Sequence, residues 1–155
     1  LMRKYRNQPS SPVQEVLCMA LNEQSTHPAY LLGRLFAVLE KVQVEAIGDM
    51  NATIKDRYFT TACASPASVF PVLLRLAQHH ISKAEYGKTS DRRIQDILCL
   101  IQMDDNPIPR RLSLDEQGIF VLGYYHQRQN FYTPRNSEDT SAILETKQPK
   151  GDHHE

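Results

Sequence analysis

The sequence predicts an all-α fold, a compact bundle of about five to six helices, and three observations carry that prediction. Apolar residues recur at the three- and four-residue spacing of a helix in segment after segment. Helix-start chemistry heads several of these segments: Ser11-Pro12, Ser65-Pro66, and Ser113 with Glu116 three residues on. No run alternates apolar and polar residues convincingly over the length of a strand. A chain of 155 residues, 41% hydrophobic and 23% charged, is long enough to bury one core.

Taken in order, residues 1–10 are basic and polar and read as an N-terminal linker, and 11–133 as the helical domain. A first helix starts at Ser11-Pro12 with Val13, Val16, Leu17, Ala20 and Leu21 at helical spacing. The second begins at His27-Pro28 and runs to about Ala46, stopped by Gly48, with Leu31, Leu35, Val38, Leu39 and Val42 as its face and Leu32 and Phe36 widening it. Asn51 is the expected cap of a short helix ending near Ala64, in which Ile54, Tyr58 and Ala62 share a side. The next should run from Ser65-Pro66 to Glu85, closed by Gly87, with a kink or delayed start at Pro71. Leu73, Leu76, Ala77, His80 and Ala84 are its expected inner face.

Thr89 or Ser90 should cap a helix cored by Ile94, Ile97, Leu98 and Ile101. Asn106-Pro107 and Pro109 then make a loop. The segment Ser113–Thr133 opens with a capping box and continues Gly118 to Tyr125, apolar on every side, which marks it as the central helix. From Pro134 to Glu155 the chain is poor in apolar residues and should be a disordered tail.

Charge and motifs exclude several function classes. The formal net charge is zero, with an excess of about +2 over residues 1–133 and −2 beyond them, which does not announce a nucleic-acid binder. Cys18, Cys63 and Cys99 form no C-x-x-C pair, so neither a zinc site nor a disulfide framework is indicated, and reduced cytoplasmic thiols are expected. No apolar run approaches a membrane span, and the basic opening from Leu1 to Arg6 has no apolar stretch behind it. His79 and His80 point about 100° apart on a helix and lack a third ligand, so no metal or cofactor is expected. Glu40 with Glu45, or Asp115 with Glu116, have nothing converging on them. With no nucleophile elbow or phosphate loop either, no catalytic residue and no enzyme activity are expected.

What remains is basic. Arg75, His79 and Lys83 recur every four residues, about 6 Å apart along the axis, a spacing that tracks successive phosphates. Arg34 with Lys41, and Arg92 with Arg93, extend such a surface if the helices align; otherwise these charges serve solubility. Arg128 shares a helical side with Val121, Tyr125 and Tyr132, so its guanidinium needs either an internal carboxylate or an incoming phosphate or base.

Four stretches agree in order and spacing with a known family: Ala29 to Phe36 (AYLLGRLF), Asn51 to Phe59 (NATIKDRYF), Pro71 through His79-His80, and Leu114 to Gln129 with its LGYYHQRQ core. Over about residues 28–133 the chain resembles the C-terminal region of the large subunit of type I-C CRISPR effector complexes. That region is also made separately, from an internal start, as the small subunit.

The resemblance implies a non-enzymatic helical module, either a trimmed large subunit or an internally initiated product. Its implied partners are the CRISPR backbone subunits, the large subunit and further copies of itself. It would support R-loop formation by holding the displaced non-target DNA strand beside the guide RNA–target complex, with no membrane and no cofactor involved. The basic positions matching the family are Arg34, Arg57, Arg75, His79, His80 and Arg128. Lys41, Lys83, Arg92 and Arg93 join the expected DNA-binding set on helical geometry. A protein–protein scaffold with no nucleic-acid contact is the rival expectation.

Overall fold

A computed structural model of the chain describes residues 20–102 and 107–133. The linker expected over 1–10, most of the helix expected from Ser11 and the tail from Pro134 lie outside them. Among the described residues there are five α-helices and no strand: α1 (Pro28–Ile47), α2 (Ile54–Ala64), α3 (Pro66–Ile81), α4 (Gly87–Gln102) and α5 (Leu114–Tyr132). The fold is all-α, as the periodicity requires.

The central rod is α1, not α5. Every residue from Ala29 to Leu39 is buried, and α1 packs against each of the other four helices. Helix α5 buries a single face, Phe120, Gly123, Tyr124 and Gln127, with His126 beside it. Leu114, Tyr125 and Tyr132 of α5 are exposed. The apolar run of α5 misled because it contains two glycines, Gly118 and Gly123, and a glycine adds no apolar surface to bury.

Those two glycines differ sharply. A Cβ on Gly123 would lie 2.2 Å from the Tyr30 carbonyl oxygen, and one on Gly33 would lie 2.0 Å from that of Phe120. Helices α1 and α5 therefore cross backbone to backbone at this pair. Further along the seam Tyr30 meets His126, Arg34 meets Gln127, and Lys41 meets Phe131. Inside the crossing, Phe36 stands edge-on to Phe59, Phe70, Phe120 and Tyr124, drawing α2, α3 and α5 onto α1.

Helix ends follow the local chemistry, with three corrections. His27 caps α1 by accepting the Ala29 N–H at Nδ1, and Gly48, at φ 73°, closes it as expected. Thr53, rather than Asn51, caps α2, because Asp56 stands three residues after Thr53 and completes a capping box. α3 ends at Ile81, short of Glu85, and residues 82–86 turn.

Gly87 begins α4 instead of closing α3. It is buried, and a Cβ on it would lie 2.0 Å from the Ile81 carbonyl oxygen; Thr89 and Ser90 already lie within the helix. Pro71 neither delays nor ends α3. Leu76 is 40% exposed because the inner face of α3 follows Pro66, Val69, Phe70, Leu73 and Ala77. The proline-rich loop is fixed by Leu112 N–H to Ala64 O and Ala67 N–H to Pro109 O.

One buried polar contact makes stability depend on pH. The Tyr30 hydroxyl accepts the Asn22 N–H at 3.0 Å and meets His126 Nδ1 at 2.9 Å, an arrangement suited to a neutral imidazole. Burial holds His126 below its ordinary value of 6.5, and burial followed by the charges of His79 and Lys83 does the same to His80. A depressed histidine contributes stability that is fully present above pH 6.5 and is lost as pH falls through the folded value. Urea unfolding should therefore show a lower midpoint at pH 5 than at pH 7.5, with a smaller drop in His126→Gln. An equal drop in that variant would remove His126 from the account.

Candidate nucleic-acid interface

Apart from Arg34, the cations singled out in the sequence fall into two sets. Arg57 on α2, Arg75 and His79 on α3, Lys83 just past the end of α3 and Arg92 on α4 are exposed. The stripe continues past the end of α3, with Lys83 Nζ 3.2 Å from His79 Nε2. It is interrupted by Val72 and Leu76, 43% and 40% exposed on the same helix.

Arg34 is not on a surface. It is 7% exposed and its Nε donates to Gln127 Oε1 at 3.1 Å. Burial pulls its pKa down, opposed by Tyr30 and Glu23. The seven-residue spacing does put Arg34 and Lys41 on one side of α1, but α5 covers the Arg34 end of that side.

The second set gathers along the outer edge of the α1–α5 seam. Lys41 Nζ lies 5.4 Å and Arg93 Cζ 5.3 Å from the centroid of the Phe131 ring, so cations from α1 and α4 meet on one aromatic side chain of α5. Arg93 thus turns toward α5. Both cations line an open cavity of about 430 Å³ that also includes Tyr86 and Thr89. A second cavity, about 250 Å³, shares Lys41 and Phe131 with the first and adds Arg128 and Tyr132. Tyr86 and Tyr132 are 58% and 79% exposed. Lys41 is also paired with Glu45.

Arg128 reaches an internal carboxylate only through Tyr124. Its Nη1 donates to the Tyr124 hydroxyl at 3.2 Å, and that hydroxyl donates to Glu40 Oε2 at 2.5 Å. Burial and then Glu40 push the Tyr124 phenol well above its ordinary range, while Tyr124 and Glu40 hold Arg128 above its own. One donor of the guanidinium is used inward, and the rest of this exposed side chain faces outward.

Sequence reasoning missed Lys55. Its Nζ sits 5.9, 5.2 and 5.3 Å from the centroids of Phe59, Tyr124 and Tyr125. The available signal was the Lys55–Phe59 spacing of four on a short helix. Arg93, Lys41, Arg128 and Lys55 are linked in turn by Phe131, the shared cavity and Tyr124, interleaving cations with aromatic rings.

No cluster of three or more metal-ligating side chains occurs among the described residues, and none of their helices is long and apolar enough to cross a membrane. Residues 1–132 match the family model described as CRISPR-associated protein (Cas_Csd1). No curated protein matches the chain.

Proposed function

Since this chain belongs to the CRISPR-associated Csd1 family, we propose that it is the non-catalytic small-subunit module of a type I-C guide-RNA surveillance complex. In this reading it packs with backbone subunits, the large subunit and further copies of itself, and supports the R-loop by gripping the displaced strand. The observation that carries the DNA contact is the edge where Arg93 and Lys41 meet on Phe131, continued by Arg128 and flanked by exposed tyrosines. Cations alternating with aromatic rings suit a flexible polyanion with accessible bases, and such contacts are independent of sequence. Exchange of a DNA duplex for a guide–target heteroduplex is nearly balanced, so modest backbone contacts can tip it.

A scaffold role has its own supporting observation. On α3, Val72 and Leu76 stand exposed beside Arg75 and His79, a mixture that fits a protein neighbour better than a strand. Both roles fit one subunit if α3 meets protein and the α1–α5 edge meets DNA.

The test neutralises Arg93→Gln and Arg128→Gln together in the assembled complex. Composition should be unchanged, R-loop yield should fall, and the log–log salt slope of single-strand binding should shrink by about 1.4, or 0.7 per lost phosphate contact. Loss of assembly with DNA handling otherwise intact would favour the scaffold alone.

A further inference from the structure

The geometry points to Tyr125 and Lys55 as a station for one unstacked nucleotide, its base on the exposed tyrosine ring and its phosphate on the lysine ammonium. The inference rests on the single-strand reading above and deepens it by naming a contact that reads the π-face of a base. Tyr125 is 49% exposed, whereas its neighbour Tyr124 is fully buried and stands edge-on to it with centroids 5.0 Å apart. The Tyr125 ring is therefore held from below by a fixed one while half of its surface stays open.

Lys55 lies within 6 Å of three ring centroids, an orientation set by aromatic faces, with no acidic partner among the described residues. Glu40, the carboxylate bonded to Tyr124, accepts from the hydroxyls of both Thr53 and Tyr124. Tyr125 also lies one turn before Arg128 on α5, which offers a second cation to the next phosphate.

The chemistry of this surface selects its ligand. A half-open aromatic ring with one cation over it and another one turn along the helix fits a group carrying a flat face and a negative charge at once, as a nucleotide does. In a duplex both faces of each base are covered by stacking, so the station is expected to distinguish single strands from double strands without reading sequence.

The experiment titrates the full chain with fluorescent oligodeoxythymidylate and with an abasic oligomer of equal length, over a series of low salt concentrations. Tyr125→Ala should weaken oligodeoxythymidylate binding on the order of tenfold, and Tyr125→Phe should retain it. The abasic oligomer should bind Tyr125→Ala and wild type alike. Lys55→Gln should reduce the salt slope by about 0.7 with either oligomer. Equal weakening toward both oligomers in Tyr125→Ala, or none toward either, overturns the station. If wild type binds and the Arg93/Arg128 neutralisation weakens it while Tyr125→Ala does not, the station alone fails. If wild type holds no single strand either alone or in the complex, the function proposed above fails with it. Tyr125→Ala that binds DNA normally but drops out of the complex assigns this face to a protein neighbour and also overturns the station.

Discussion

Replacing Gly33 by alanine is expected to destabilise the bundle by about 3 kcal/mol or more, at or above the upper end for an overpacked core. The new methyl carbon would fall 2.0 Å from the Phe120 carbonyl oxygen and 2.8 Å from the Tyr124 nitrogen. These are backbone atoms of a packed helix and cannot swing aside as a side chain would. Relief requires α5 to move away from α1, and that seam carries both the Tyr30–His126 and Arg34–Gln127 contacts. A domain of this size has roughly 5–15 kcal/mol in total, so the variant should melt early or fail to accumulate.

Gly118→Ala on α5 is the matched control, because nothing lies within 4 Å of its Cβ position. The gain in helix propensity should stabilise it by about 1 kcal/mol. Opposite signs for two glycine-to-alanine changes would be read by urea unfolding. A Gly33→Ala protein within about 0.5 kcal/mol of wild type would contradict the backbone crossing.

The contrast between these glycines shows what the sequence could and could not reveal. The helices α1, α2 and α4 were legible because their apolar residues recur with the helical period, and the caps at His27 and Ser113 stand where local chemistry demands them. Period identifies a buried side but does not rank helices by how much surrounds them. Hence α5 seemed central when α1 is, and Arg34 seemed exposed when α5 covers it.

Site residues suffered from the same gap. A stripe of cations on one helix, such as Arg75, His79 and Lys83, is visible in spacing. The meeting of Lys41 from α1, Arg93 from α4 and Phe131 from α5 depends on three helices converging, which no local pattern encodes. Lys55 belongs to no stripe and acquires its rings only through the packing of α2 on α5.

That dependence of the edge on the packing beneath it leads to the second large effect. Phe36→Ala should destabilise by roughly 3–5 kcal/mol, the usual loss for deleting a buried phenyl ring. Phe36 is fully buried, with ring centroids 5.5 Å from Phe59, 6.1 Å from Phe120 and 6.0 Å from Tyr124. No neighbour can refill the space without leaving another contact, since Phe59 and Tyr124 are themselves stacked edge-on at 5.0 Å.

The consequence should reach the surface. Tyr124 holds Lys55 against its ring and Arg128 at its hydroxyl, so loosening it frees two cations of the proposed strand contact. Phe36→Leu, which keeps most of the volume, should restore much of the stability and the binding together. Measured under conditions where both variants remain folded, single-strand affinity should fall in Phe36→Ala although Phe36 touches no solvent. Unchanged affinity there would mean that the aromatic core and the cationic edge are mechanically independent.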